Sequence, residues 1–294
     1  MQTLHYNIFK KGSKTFFTST LFFPHDVKAD VFVLYGYVRV ADNLVDTIPQ
    51  KEREFYELMD RTERAIGGEW TGDIVVDSFG YLVRRRGIPK DWVKAFLWSM
   101  ESDLVKSSYR TLGELSAYLY GSAEVIGLMM AKILGLPKES YDAAMHQGRA
   151  MQYINFIRDI NEDLSLGRTY FPIEDLEEFG LPDLKYSTVK RFPENFRGLV
   201  RKELGLYCKW QRKAEEGYRF IPKRYLIPIK SAADMYNWTA AQISRDPFAV
   251  YRKKIRPSTA RIFATASYNM LYLNIKQKSR IKKEAMLSRR QIPR

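Results

Sequence analysis

Two pairs of aspartates carry the chemistry this chain can do. Asp42-Asn43-Leu44-Val45-Asp46 and Asp159-Ile160-Asn161-Glu162-Asp163 lie far apart in the sequence, and each reads D-x-x-x-D. On a helix, residues four apart share one face, with about 5–6 Å between their Cβ atoms. Carboxylates that close repel unless positive charge lies between them. Rigid oxygen ligands suit Mg²⁺, which takes one or two carboxylates and fills its shell with water and substrate phosphates. Two such helices face to face would form a cleft for a magnesium-bound diphosphate. One D-x-x-x-D alone is weak, because charges four apart also decorate solvated helix faces. Here the pairs match each other, Arg39 lies one turn before Asp42, and Arg158 adjoins Asp159. Gln152 and Asn155 extend the second acidic stripe as amides.

Three further strings could join them. Ser13-Lys14-Thr15 offers two hydroxyls and a cation, followed by Phe16 and Phe17. It reads as a clasp for diphosphate oxygens or as a helix N-cap. Tyr118 opens a run, YLYGSAEVIG, of small residues on a helix. Glycine inside a helix costs about 1 kcal/mol relative to alanine. Two of them there imply tight helix packing, room for a ligand, or both. Arg168-Thr169-Tyr170-Phe171-Pro172 reads as a turn with a buried aromatic pair.

Helices must position all of this. Val27, Val31, Leu34, Val38, Ala41 and Val45 form one apolar stripe, and Tyr35, Arg39, Asp42 and Asp46 form a second beside it. Thr47-Ile48-Pro49 stops that helix. Further helices are predicted over 50–66, 90–106, 112–134, 142–165, 194–219, 229–245 and 257–285. On the 142–165 helix Gln152, Asn155, Asp159 and Asp163 share one polar face. No period-two strand, further internal repeat or low-complexity linker is legible. The simplest expectation is one all-α domain over residues 1–294.

Composition narrows the partners. No run approaches the ~20 apolar residues that a spanning helix needs. The start, MQTLHYNIFKKGSK, has no apolar core of a signal peptide. Cys208 is the only cysteine, which excludes an internal disulfide and fits a reducing cytoplasm. Three histidines and one cysteine argue against zinc. The net charge of +14 calls for an anionic partner. From Lys276 to Arg294 there are eight basic residues and one acid. That tail reads as a solvated end or as an adhesion segment for anionic membrane, at about 1 kcal/mol per basic residue near lipid. Nucleic acid is not expected, since neither zinc-finger spacing nor an RNP-like string is present. An RNA-binding helical protein would show salt-sensitive binding indifferent to Mg²⁺.

Taken together, the strings resemble the squalene/phytoene synthase family, the head-to-head prenyltransferases, and most of all bacterial and archaeal phytoene synthases. The resemblance spans roughly residues 6–256 and is strongest in GRAMQYINFIRDINEDLSLGRTYFP. YLYGSAEVIGLMM, YGYVRVADNLVD and GSKTF resemble the family's other signature, first aspartate motif and diphosphate clasp. It implies an isoprenoid synthase fold with a central apolar cavity between helices. It also implies that Asp42, Asp46, Asp159 and Asp163 hold Mg²⁺ (or Mn²⁺), with Asn155 as amide ligand. Ser13, Lys14, Thr15, Arg39, Arg158 and Gln152 would bind diphosphate. Tyr118, Tyr170 and Tyr236 would sit near the reacting carbons or leaving group. A further basic contact falls at Lys253, with Arg252 and Lys254 as alternatives.

Three departures stand out. Asn43 replaces a second adjacent aspartate, Gly12 a larger polar residue, and Glu124 a small one. The reaction implied is condensation of two geranylgeranyl diphosphates to phytoene through prephytoene diphosphate. Thr20 stands where farnesyl-using members carry a bulky aromatic, although Phe22 and Phe23 are near. The alternative is squalene or dehydrosqualene formation from two farnesyl diphosphates, with NADPH for squalene. A rival is a non-catalytic, membrane-associated assembly factor of the same fold, but such relatives lose acids from the aspartate motifs. The expected location is cytoplasmic, peripheral on the inner face of the membrane.

Overall fold

The computed structural model describes the backbone of residues 2–289 and the side chains of residues 4–13 and 15–275. Among them there is no strand, only an isolated bridge between Ser108 and Thr169. The helices are α1 (Gln2–Gly12), α2 (Lys14–Thr20), α3 (His25–Asp46), α4 (Glu52–Gly67), α5 (Ile74–Arg86) and α6 (Lys90–Val105). Then come α7 (Leu112–Leu119), α8 (Val125–Ile133), α9 (Tyr141–Arg158), α10 (Ile160–Ser165), α11 (Ile173–Glu178) and α12 (Tyr186–Arg191). The last are α13 (Pro193–Glu216), α14 (Lys223–Arg245), α15 (Ala249–Arg252) and α16 (Thr259–Arg289).

α3 forms as its stripe predicts: Val27, Val31, Leu34, Ala41 and Val45 are buried together. Four expectations are corrected. The 112–134 helix is broken by a π-turn, Tyr120–Glu124, where the Val125 amide reaches back to the Tyr120 carbonyl. The 142–165 helix is broken at Asp159, whose φ of −100° and ψ of 15° separate α9 from α10. The 194–219 helix ends at Glu216 and gives way to a tighter turn, Gly217–Phe220. The 229–245 helix begins earlier, at Lys223, and carries Pro228 within it. α5 falls where no helix is predicted. Asp73 caps it by accepting from the Val75 and Val76 amides, and its buried residues ring most of its circumference. A helix buried that widely shows no amphipathic stripe, and Val-rich first turns look strand-like.

Two apolar cores result. One gathers Phe9, Tyr37, Phe55, Phe79 and Phe96 from α1 to α6, with Val125 and Met129 from α8. The other gathers Tyr118, Tyr153, Phe156, Phe196 and Tyr207 from α7, α9 and α13. One cavity of about 580 Å³ is lined by members of both.

Candidate active site

α3 supplies the first wall. Tyr35, Arg39, Asp42 and Asp46 line the cavity, while Asn43 is exposed outside it. Arg39 pairs with Asp42 one turn along. Asp46 Oδ1 accepts from Arg168 Nη1 at 2.5 Å.

α9 and α10 supply the second wall, with Gln152, Asn155, Arg158, Asp159, Glu162 and Asp163 on the cavity. The break at Asp159 does not scatter the stripe, because the Asp163 amide still bonds the Asp159 carbonyl at 2.9 Å. Arg158 grips Asp159 with two donors, one of them Nε to Oδ1 at 2.8 Å. Lys254 Nζ lies 3.7 Å from the same Oδ1 and also pairs with Glu162. Asn155 Nδ2 donates to Gln152 Oε1 at 3.4 Å, which leaves its buried Oδ1 without a partner among the described residues.

A buried network joins the walls. Tyr118 Oη and Tyr170 Oη donate to the Asp103 carboxylate at 2.7 and 3.0 Å. Arg168, itself buried, donates to the Val45 and Asp103 carbonyls at 2.7 and 3.0 Å besides holding Asp46. The Phe156 and Tyr170 rings stack at 4.1 Å beneath it.

Burial dominates the electrostatics. It raises Asp163 to about 8, helped by the charges of Asp159 and Asp46. It raises Asp42 to about 7, with Asp46 adding to it and Arg39 opposing it. Asp103 is pushed up to about 6 by burial, against the pull of Arg168 and the two tyrosines. Acids so reluctant to ionise together would be relieved by a divalent cation. The donors are all oxygens: four carboxylates and the orphaned Asn155 amide oxygen. That set fits Mg²⁺. Among the described residues no three acids, histidines or cysteines converge on one point. An ion here would therefore take one or two carboxylates and share phosphate oxygens, as Mg²⁺ does.

Beyond the acids the cavity turns apolar. Phe9, Phe23, Val31, Leu34, Met130 and Leu134 line it, along with buried Thr20. The Tyr236 ring is buried against Phe16 at 5.4 Å, and burial pushes its hydroxyl up to about 12. Both readings of the small-residue run hold. A Cβ on Gly127 would lie 2.1 Å from the Ala144 carbonyl oxygen of α9, so the helices touch backbone to backbone. Ser122, Ala123, Ile126 and Gly127 nevertheless line the cavity.

The departures now have places. Glu124 is buried outside the lining and accepts from Arg149 Nε at 2.7 Å. A Cβ on Gly12 would meet Tyr35 Oη at 2.5 Å, so a larger residue there would displace that ring. Ser13 is the N-cap of α2, accepting from the Phe16 amide at 3.3 Å, and it also lines the cavity with Thr15. The side chain of Lys14 and those of the basic tail from 276 lie outside the described residues. Of the basic residues offered at 252–254, Lys254 lines the cavity, whereas Arg252 and Lys253 are absent from the lining. The backbone is extended there (φ −159°, ψ 150°), so neighbouring side chains point opposite ways.

Sequence reasoning missed Asp103 and gave Arg168 no role at the site. Asp103 had a signal, since it continues the buried face of α6 marked by Val93, Phe96 and Met100. An acid on such a face needs a partner. Arg168 lay inside the strongest motif but resembled an ordinary turn residue.

The squalene/phytoene synthase family profile matches residues 9–262, and the chain belongs to that family, a family of prenyltransferases. It is 28% identical over 259 residues to the 15-cis-phytoene synthase of Synechocystis, covering 82% of this chain and 76% of that one. It is 27% identical over 266 residues to the chloroplastic phytoene synthase 3 of maize, covering 87% of this chain. The match spans 62% of the length of that maize protein. Among solved structures it resembles a dehydrosqualene synthase, with a TM-score of 0.82 and 21% identity over 92% of this chain and 96% of the other. It also resembles the squalene synthase HpnC of Alicyclobacillus acidocaldarius, with a TM-score of 0.75 and 22% identity over 84% and 94%. The fold is the isoprenoid synthase fold.

Proposed function

We propose that the protein joins two geranylgeranyl diphosphates head to head, giving 15-cis-phytoene through prephytoene diphosphate and releasing two diphosphates. The observation that carries this reading is one cavity with an acid-walled, arginine-rich mouth and an apolar interior. Asp42, Asp46, Asp159, Asp163 and Asn155 would hold Mg²⁺. When bound, the ion supplies positive charge that stabilises the departing diphosphate. Arg39, Arg158 and Lys254 are already at the mouth, paired with acids, and would exchange those partners for diphosphate oxygens. Ser13, Lys14, Thr15 and Gln152 complete the diphosphate set.

Ionisation of one substrate leaves an allylic cation. The double bond of the second attacks it, and a proton is lost as the cyclopropylcarbinyl diphosphate closes. A second ionisation and rearrangement give the 1,1′-linked skeleton, and loss of a proton forms the central double bond. The interior must keep water from the cations. Its rings, with Tyr118, Tyr170 and Tyr236 nearest the mouth network, present π faces that stabilise positive charge. Asp103 holds Tyr118 and Tyr170 in orientation.

Buried Thr20 on the lining leaves room for a C20 chain, which supports geranylgeranyl over farnesyl. Phe23, three residues on, also lines the cavity and favours the second reading, two farnesyl diphosphates giving dehydrosqualene, or squalene with NADPH. Incubation with Mg²⁺ and either the C15 or the C20 diphosphate, with and without NADPH, followed by mass spectrometry of the hydrocarbon, separates them. A C30 product alone would overturn the phytoene reading. No hydrocarbon from either substrate would overturn both.

The reading extends to location: cytoplasmic, peripheral on the inner face of an anionic membrane. The +14 charge supports it. No helix among the described residues is long and apolar enough to cross a bilayer.

A further inference from the structure

α16 has an outer face unlike any solvated helix. From Ile262 to Ile275 it contains no charged residue. Its inner side is fixed: Ile262, Ala266 and Asn269 are buried, and Asn269 Nδ2 donates to Ser231 Oγ at 3.1 Å and Asp234 Oδ2 at 2.8 Å on α14. That anchor sets the rotation of the helix and turns Tyr268, Leu271 and Ile275 outward, at 64%, 63% and 65% exposure. Tyr272 is exposed beside them, and Phe263 and Met270 are exposed nearer the packed side, where Phe263 meets Phe22. A helix packed on a domain normally carries its charges on the solvent side. An outward patch this apolar marks an interaction surface.

Charge selects the occupant. The same chain continues at Lys276 into eight basic residues and one acid by Arg294. A second copy of this protein would cover the apolar face but bring its own basic segment, and like charges would oppose. An anionic lipid leaflet satisfies both parts, taking apolar and tyrosine side chains at the acyl boundary and basic ones among headgroups. The neighbouring rings of Tyr268 and Tyr272, 6.1 Å apart, have the apolar body and polar tip suited to that depth.

We propose that the 263–275 face of α16 is the surface by which the protein docks on an anionic bilayer. The proposal deepens the peripheral-membrane reading above and rests on it. α16 packs on α2 and α14, and those two helices carry cavity-lining residues including Thr20 and Tyr236. Docking there sets the lipid against the outer side of the cavity wall, close to where a hydrocarbon product is made.

The test uses the full chain and vesicles of phosphatidylcholine with phosphatidylglycerol. The wild type should co-sediment with them. The double variant Leu271→Glu/Ile275→Glu should partition roughly 100-fold more weakly, about tenfold for each apolar side chain kept out of lipid. Its circular dichroism and its turnover of detergent-dispersed substrate should match the wild type. Separately, Leu271→Trp should give emission that shifts to the blue on vesicles and is quenched by brominated lipid. Unchanged partitioning of the double variant would overturn the proposal. So would a tryptophan unmoved by vesicles while the protein is bound, which means attachment by charge alone. A wild-type dimer that Leu271→Glu converts to monomer, with vesicle binding intact, would assign the face to a second copy instead. Wild-type protein inert in detergent would count against the proposed reaction and leave the docking result standing.

Discussion

Replacing Arg168 by glutamine tests how the mouth of the cavity is held together. Its guanidinium donates to the carbonyls of Val45 and Asp103 and to the Asp46 carboxylate, so one side chain ties α3 to α6 and both to the loop after α10. A hydrogen bond from a charged donor contributes about 1.5–3 kcal/mol net. Both carbonyls also accept from Gln50 Nε2, at 2.9 and 2.8 Å, so neither is orphaned and each loss falls at the low end. The Asp46 carboxylate is 35% exposed, which limits that pair to about 1 kcal/mol. The sum is about 4 kcal/mol. For a chain of this size that is a fall in Tm on the order of 10 °C. Asp103 also loses its cation, and its carboxyl rises above the present value of about 6. Arg168→Lys should recover the charge but not the fork, and land between. The assay is thermal unfolding by circular dichroism at pH 7 without substrate, with turnover measured in parallel. A glutamine variant within about 2 °C of the wild type would refute the clamp. So would a lysine variant equal to the wild type, since the fork would then contribute nothing.

Four further outcomes are expected. Asp159→Asn should lower turnover by at least about 10³-fold with the fold intact, and Asp42→Asn somewhat less, because the second wall also carries the amides; near-normal product from either purified variant would sink the metal-bridge reading. Glu203 is fully buried, accepts from Tyr153, and is raised by burial from 4.5 to about 8. The folded state therefore holds its proton more tightly than the unfolded chain, and the wild type loses stability as pH climbs from about 4.5 through 8, by a few kcal/mol at most. Glu203→Gln should flatten that loss and melt higher than the wild type at pH 9; equal melting at pH 9 would show the burden is absent. Gly127→Ala should cost about 2 kcal/mol, because its Cβ would meet backbone that cannot yield, whereas Gly113→Ala, with only Thr111 Oγ1 at 3.6 Å, should be neutral or stabilising in the same urea titration. Thr20→Phe should shift product formation from the C20 towards the C15 substrate, read by mass spectrometry of mixed incubations; an unchanged ratio would remove Thr20 as the limit on chain length.

Legibility followed amphipathic contrast. α3 was readable because five valine, leucine and alanine positions face inward while Arg39, Asp42 and Asp46 face the cavity. α5 was not, because burial on nearly every side erases the period. α1 was missed as a helix, and α2, too short for a stripe to stand out, was legible only through the N-cap offered at Ser13. Both aspartate pairs were found from spacing alone, and the structure brings their walls onto one cavity. Asp103 escaped although it continues the buried spacing of α6, and Arg168 escaped because a single polar residue in a turn has no spacing to detect. Their importance lies in partners distant along the chain. Which of Lys253 and Lys254 lines the cavity depends on one extended residue, which composition does not reveal.

The π-turn at Tyr120–Glu124 constrains how this protein can vary through descent. A regular helix advances about 100° per residue, so one extra residue rotates everything after it by about that angle. α7 and α8 are thus one rod with a phase jump. Gly121 meets the Ala95 carbonyl of α6 on one phase, and Gly127 meets Ala144 of α9 on the next. Losing one residue here would relax the rod into an ordinary helix. It would also swing Ile126 and Met130 off the cavity wall and set Cβ-bearing neighbours against those backbones. Gly121 cannot take a Cβ without meeting the Ala95 backbone, and buried Glu124 holds Arg149, so the turn is fixed at those two letters as well as in its length. Lineages that keep the cavity should therefore conserve the number of residues here, with variation confined to the remaining positions.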